Sequence, residues 1–594
     1  MLNRTTKLRW RRNLRRSQQN LENLTVNVEK GAEKHLFTRL PRLGGVKRFV
    51  ISWVLLVVIL GFGVILQTKA LAPYYLTIKP VNGGIYTEGI VGRYTTSNPL
   101  YATTAVDASV SKLIFSSLLK YNNHNQLVGD LAKEVKSDEK GVEYTVTLKD
   151  DLFWQDGVQL TADDVVFTYR LIQEPDAKSP LQNTWAGVKL DKIDDKTIKF
   201  ILPHSLASFN QLLTNGIVPK HKLEQIPAGQ LRTAEFNTVK PMGSGPFKWD
   251  SIQISGQTPE TREEQIGLSA NQHYYGGVPN LDKFIIKALN NKDTMVEQFK
   301  KQEIDAMVGL DNRPDEIGKD SSINEYDITL NAQVMIFLKT TQDILKDKSI
   351  RQALTMATNR SEILKSLGYP VVSTNSPLLN TDLGYSKDLD QADFNLAEAN
   401  ALLDKNGWVK GADGIREKAG TKLKFSLTSQ NNSEYSAIVN EIQKQWAQIG
   451  VDLKINLEDD TALQSTIALH NYDSLLYGIT VSSDPDVYAY WHSSQADVRS
   501  SSRLNFSEIR SPLIDSSLEA GRTRVDPNLR VVKYKQFLTS WKDEAPAIAL
   551  YQPRFMYITR GNIYGLDTKN MNTITDRYSN VQNWRIKTEH TVIR

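Results

Sequence analysis

One apolar run, Phe49 to Leu66 (FVISWVLLVVILGFGVIL), limits this chain more than anything else in it: 18 residues without a charge. At ~1.5 Å rise per residue such a helix spans roughly 27 Å, close to the hydrocarbon thickness of a bilayer. No second stretch of comparable length and apolarity follows, so the chain crosses a membrane once or is exported. Residues 1–48 carry 13 Lys/Arg against Glu22, Glu29 and Glu33, a net +10, so the overall charge of +5 leaves −5 for residues 49–594. Positive charge before the span holds the N-terminus in the cytoplasm and sends the bulk of the chain across. Residues 1–48 therefore read as a basic cytoplasmic tail and 49–66 as a single transmembrane helix that makes the lipid bilayer a partner. A basic tail alone also suits nucleic acid, but one placed directly before a membrane span serves topology or anionic headgroups, and no nucleic-acid partner is expected.

Two other readings of the apolar run compete. Ala70-Leu71-Ala72 has the small-x-small pattern of a signal-peptide cleavage site, while Pro73 directly after it, the length of the run and the 48-residue leader favour a retained anchor. A buried core helix is the third. The sequence has no cysteine, which excludes disulfides, thiolate metal sites, iron–sulfur clusters, cysteine nucleophiles and a lipidated cysteine, so that any anchor is peptide.

A chain of 594 residues exceeds the ~250–300 at which one hydrophobic core stops growing, so at least two lobes are required. Residues 67–94, with Pro73, Pro80 and Gly83-Gly84, read as a spacer entering a first strand. Beyond it strands and helices alternate. Tyr144 to Leu148 alternates at period two, and Lys189 to Leu202 reads as two strands joined through Asp194-Asp195. Asp293–Lys301, Ser349–Leu367, Leu396–Asn406 and Ser433–Ile449 place apolar residues at helical spacing, with Ser349 as an N-cap candidate and Gly368, Gly407 and Gly450 as stops. Alternation without a fixed-period repeat predicts α/β lobes, and lobes without a flexible linker predict several chain crossings forming a hinge over a ligand cleft.

The densest local pattern is Phe153-Trp154-Gln155-Asp156-Gly157-Val158-Gln159-Leu160-Thr161-Ala162-Asp163-Asp164-Val165-Val166-Phe167-Thr168. Asp156-Gly157 supplies a turn, Thr161 a helix cap, and Asp163-Asp164 negative charge in the first helical turn. This strand–turn–helix unit closely resembles the W-x-D-G-x-x-L-T-A-D-D-V-x-F segment of the bacterial extracellular solute-binding proteins of family 5, the peptide, oligopeptide and nickel receptors of ABC importers. Other segments follow in that family's order: Asn98-Pro99-Leu100 with Ala108 to Tyr121, Gly243-Ser244-Gly245-Pro246-Phe247, Gln302 to Ala306, Arg351-Gln352-Ala353-Leu354, and Ala401 through Trp408 with Asp413-Gly414-Ile415-Arg416. The resemblance covers roughly residues 95–590. It implies a two-lobed α/β fold like the periplasmic binding proteins (type II, with an extra inserted subdomain) behind the N-terminal transmembrane helix. Lobe I would be 95–308, with the insertion at about 105–205, lobe II 309–549, and 550–594 the return to lobe I. The crossings would fall near Val308–Leu310 and Leu550–Gln552.

Tyr472 to Asp486 resembles the family's strand-to-loop stretch ending in D-P-D, which implies Tyr477, Thr480, Ser482, Ser483, Asp484 and Asp486 as ligand contacts in lobe II. The competing reading makes Asp484-Pro485-Asp486 a capping turn before Val487–Trp491. Peptide-binding relatives often carry an aspartate about three residues before this D-P-D to pair with a peptide ammonium; the matching residue is Val481. The likeness places Tyr94 and Asn98 at the opening loop and Tyr551 at the return crossing, and Trp185, Tyr490 and Trp491 complete the candidate cleft wall; each competes with a packing role. Trp154 and Trp408 are assigned to the core. Gly243-Ser244-Gly245 is a turn, lacking the Lys-Ser/Thr and helix of a phosphate loop.

The eight histidines form no close cluster, so neither a metal nor another cofactor is expected. Without H-E-x-x-H or G-x-S-x-G, no catalytic residue is assigned and the chain does not read as an enzyme. The expected function is that of a monomeric, membrane-anchored extracytoplasmic receptor that captures a peptide or small polar solute in an interlobe cleft and delivers it to an ABC permease. The alternatives are a sensor or adhesion module and an anchored hydrolase using cleft carboxylates.

Overall fold

The computed structural model describes residues 47–592 apart from 259–260, 311, 482, 501–502 and 567–569; the tail up to residue 46 and Ser482 lie outside the described residues. Two compact units are present, one holding the residues up to Lys79 with Thr588 onward, the other Pro80–Lys587. The first contains the helix Lys47–Tyr75 and most of a two-stranded sheet of Leu76–Val81 and Lys587–Val592. Phe49–Lys69 is long and apolar enough to cross a membrane, and none of it is buried, which removes the core-helix reading.

The second unit holds two lobes. Lobe I is built on a mixed eight-stranded sheet in the order Asn570–Met571, Ile323–Leu330, Arg554–Arg560, Ala306–Leu310, Ile85–Val91, Lys283–Leu289, Glu263–Ala270, Phe247–Ser255. The expected 67–94 spacer thus contains a central strand: Tyr86 and Ile90 point into the core at period two, and Ile85–Val91 pairs in parallel with both neighbours. A four-stranded antiparallel sheet, Ala132–Ser137, Glu143–Leu148, Thr197–Ile201, Lys189–Lys192, is inserted in this lobe. Its last two strands pair from Lys189↔Ile201 to Lys192↔Ile198 around the Asp194-Asp195 turn.

Lobe II is a six-stranded sheet in the order Val372–Ser373, Ala547–Gln552, Ala332–Leu338, Ser474–Thr480, Lys424–Gln430, Asp452–Glu458. Along Ala332–Leu338, Val334, Ile336 and Leu338 join one core cluster while Met335 and Phe337 join another. Apolar residues on both pleat faces mark a sheet covered on both sides by helices.

The chain passes between lobes at Asn331 and at Pro553, each a single residue separating a strand of one sheet from a strand of the other. The first crossing is therefore not at Val308–Leu310. Ile323–Leu330 still pairs antiparallel with Arg554–Arg560, from Ile323↔Arg560 to Thr329↔Arg554, so lobe I runs to Leu330. The return falls at Pro553 rather than Leu550 because Leu550 and Tyr551 lie in a strand that pairs with Ala332–Leu338 inside lobe II. The expected helix 349–367 is two, Lys348–Met356 and Arg360–Ser366, because Asn359 caps the second by accepting from the Glu362 amide. Asp347, not Ser349, caps the first.

Candidate functional site

The family-like motifs meet at one helix of lobe I. Thr161 and Asp164 form a capping box at the start of Ala162–Gln173, and Gly157 at φ +84° closes the turn before it. Gln155 leaves that turn to donate to the Phe247 carbonyl at 2.7 Å and to accept from the Gly243 amide at 3.0 Å. Gly243 and Gly245 press on the end of helix Ala105–Ile114: a Cβ on either would sit 2.1 Å or 2.7 Å from the Ile114 carbonyl oxygen. These glycines serve close backbone approach, and the motif fixes the helix that carries Ser111 and Lys112.

The lobes touch opposite the hinge. Ser205 Oγ donates to the Thr523 carbonyl at 2.6 Å, the Ala207 amide to the Arg522 carbonyl at 2.8 Å, and Ser208 Oγ to Asp486 Oδ2 at 3.1 Å. Ser483 Oγ donates across to the Tyr121 hydroxyl at 3.2 Å. The D-P-D carboxylates are held within lobe II: Asp484 meets Arg530 at 2.6 Å and Asp486 meets Arg522 at 3.2 Å. Burial raises the Asp486 carboxyl above the usual range although Arg522 opposes it. Asp382 is pushed up to about 7 by burial, with the Asp484 charge adding to it.

Beneath Tyr121 lies a cavity of about 270 Å³ lined by Ser111, Lys112, Thr214, Asn215, Thr573 and Asp576 among others. Its walls join the first helix of lobe I to the hinge. Asn572, next to Thr573, accepts from the Asn331 side chain at 3.0 Å, and Asn331 accepts from the Val481 amide at 2.8 Å. Asp576 turns Oδ2 to the backbone N–H groups of Asn572 and Thr573 at 3.1 and 2.9 Å. Burial raises the Tyr121 hydroxyl, with Asp576 and Asp484 adding to the rise while the Ser483 bond opposes it.

Only part of the expected cleft wall converges here. Ser483, Asp484 and Asp486 belong to the interlobe contact, Asp484 and Asp486 as arginine partners rather than open carboxylates. Asp486 also accepts the backbone N–H of Tyr488 at the start of Tyr488–Trp491, so the capping reading holds for Asp486 beside its arginine pairing. Thr480 is exposed at the end of its strand, opposite Ala332, and the Tyr490 hydroxyl reaches its backbone. Tyr477 packs edge-on to Phe506 at 5.6 Å. Tyr94 is buried, donates to the Asn237 carbonyl and stacks on Trp249 at 5.8 Å. Asn98, fully buried, bonds the Asn237 side chain at 2.9 Å and accepts from the Leu100 amide. Trp185 lies in the core of the inserted subdomain against Tyr169 at 4.0 Å, and Trp491 in the lobe II core against Phe337 and Trp541. Tyr551 is buried and donates to Glu434, which also accepts from Tyr369. Val481, in the position of the relatives' ammonium-binding aspartate, is 1% exposed inside lobe II.

The sequence reading does not single out Lys112 and Asn215, which line this cavity. Periodicity gave no signal for them: the apolar face of the helix is Val106, Val110, Leu113 and Ile114, all buried, and Lys112 lies off it as a solvated lysine commonly does.

Among the described residues no three His, Cys, Asp or Glu side chains gather as metal ligands. His492 Nδ1 meets Ser494 Oγ at 2.8 Å and Nε2 meets Glu519 at 3.2 Å, a serine–histidine–carboxylate row in outline. Nδ1 also accepts the backbone N–H of Ser494 at 3.1 Å, so the row caps the turn Ser493–Ala496.

Comparison with known proteins gives a consistent picture. The sequence model of the bacterial extracellular solute-binding proteins, family 5 middle region, matches residues 126–500. The oligopeptide-binding protein AppA of Bacillus subtilis is 30% identical over 490 residues, 80% of this chain and 87% of that protein. The dipeptide-binding protein of Escherichia coli is 24% identical over 520 residues, 83% and 92% of the two chains. Among solved structures, Bacillus subtilis AppA in complex with a nonapeptide superposes with a TM-score of 0.68 at 27% identity, covering 86% of this chain and all of that one. The substrate-binding protein CtaP of Listeria monocytogenes gives a TM-score of 0.73 at 25% identity over 85% and 99%.

Proposed function

Because the chain belongs to the bacterial extracellular solute-binding proteins of family 5, we propose that it is a membrane-anchored, extracytoplasmic receptor that captures a peptide or similar polar solute between its lobes and hands it to an ABC permease. The helix over Phe49–Lys69 retains the protein at the membrane, with the basic tail inside. Capture is non-covalent: the ligand favours the closed arrangement by touching both lobes at once. The observation that carries this reading is a cavity of lobe I that has Tyr121 in its lining, the residue whose hydroxyl Ser483 of lobe II reaches across to meet. Its volume, about 270 Å³, suits a small solute or one end of a longer peptide. Both partners of that interlobe bond belong to one copy of the chain, and the receptor acts as a monomer.

The test is native mass spectrometry of the full-length protein in detergent, as purified and after incubation with a mixture of short peptides. An intact bound peptide is expected. Absence of any bound solute in both conditions overturns capture, and release of shortened peptides replaces it with the hydrolase reading.

A further inference from the structure

We propose that the site recognises its ligand by an acidic group, for a peptide the terminal carboxylate, received in lobe I by Lys112 and Asn215. This rests on the capture reading above and specifies its chemistry. Lys112 is half-buried in the wall of the cavity, and among the described residues no acceptor lies within hydrogen-bond or ion-pair reach of its ammonium. The charged groups that face it are Asp576 and Asp130, and both are engaged elsewhere. Asp576 caps Thr573 through two backbone amides. Asp130 takes Lys120 at 3.2 Å, the Ser117 amide at 2.8 Å and the Tyr275 hydroxyl. Beside Lys112, the buried amide nitrogen of Asn215 has no acceptor among the described residues. A cation and a neutral donor left without acceptors in one cavity form a ready anion receptor, since a charge-assisted bond there replaces none already made.

The facing loop of lobe II points the same way. An ammonium-binding site needs an available carboxylate, and lobe II offers none in its D-P-D loop: Asp484 and Asp486 are neutralised by Arg530 and Arg522, and Val481 fills the remaining position with a buried isopropyl group. The ligand's negative end is thus the one this cavity is built to hold, and its amino end meets no open carboxylate in the D-P-D loop.

The experiment uses the full-length protein in detergent and matched tripeptides in three forms: free acid, C-terminal carboxamide and N-acetylated acid, with binding read by calorimetry. For the natural protein, the carboxamide should bind on the order of ten- to a hundredfold more weakly than the acid, and N-acetylation should change affinity by less than about threefold. Lys112→Met should bring the acid down to the carboxamide's affinity and leave the carboxamide unchanged, while Lys112→Arg restores part of the preference for the acid. Asn215→Ala should weaken the acid alone by a smaller factor. Equal binding of acid and carboxamide by the natural protein, or a preference for the acid that survives Lys112→Met, overturns the inference while leaving peptide capture standing. Binding of none of the three forms removes the capture reading and the inference together.

Discussion

The two sides of the interlobe contact treat charge in opposite ways. Lobe II presents two carboxylates in a loop that looks like a ligand loop, and satisfies each with an arginine from its own fold. Asp484 and Arg530 have side chains 14% and 8% exposed. Lobe I presents a lysine from an unremarkable helical stretch and gives it no acceptor. A loop's resemblance to a binding loop says where the chain goes; which charges remain to be used depends on partners distant in sequence.

Removing one member of a pair tests that contrast most severely. Arg530→Met takes the guanidinium away from the largely buried Asp484 carboxylate, and a loss of about 3–5 kcal/mol in urea-unfolding free energy is expected; a loss below about 1 kcal/mol would mean that the pair is not a structural unit. Asp382 sharpens the comparison through pH. Its folded value of about 7 lies above the ordinary 3.8, so the folded state holds the proton more tightly than the unfolded chain. Its share of stability is therefore full below about pH 4, declines as pH rises to 7, and is absent above. Asp382→Asn should make the protein more stable than the natural chain above pH 7, by up to ~4 kcal/mol, with the difference vanishing toward pH 4. Parallel melting curves of the two proteins across that range would refute the assignment.

Smaller effects are expected where the walls only touch. Ser208→Ala removes a hydroxyl donor from Asp486 and should cost the interlobe contact ~1.5 kcal/mol, read by small-angle scattering as a larger radius of gyration without ligand. Tyr121→Phe removes a neutral acceptor from Ser483 and should cost ~1 kcal/mol or less. Should Tyr121→Phe open the lobes more than Ser208→Ala, the charged loop is not what holds them.

Much of the fold was legible in the sequence because it is written in local periodicity. The apolar run, the hairpin around Asp194-Asp195, the cap at Thr161 and the helices Leu396–Lys405 and Ser433–Ala447 each depend on a few neighbouring residues. The crossing at Asn331 was not, since one residue between two strands carries no glycine, proline or change of pattern. The burial of the aromatic candidates was not legible for a different reason. Trp185 and Trp491 have the composition of a ligand contact and of a core residue equally, and only tertiary packing separates the two. The pairing of Asp484 with Arg530 spans 46 residues, beyond any motif.

The single-residue passages at Asn331 and Pro553 join neighbouring strands in both sheets: Thr329 lies opposite Arg554 on one side and Val334 opposite Tyr551 on the other. The lobes are thus hung on two parallel pins rather than one tether. Rotation about the line through those pins needs only a few backbone torsions to change, whereas sliding or twisting would tear ladder hydrogen bonds in both sheets at once. Such a joint favours one kind of movement, a rotation that would part or rejoin Ser483 and Tyr121.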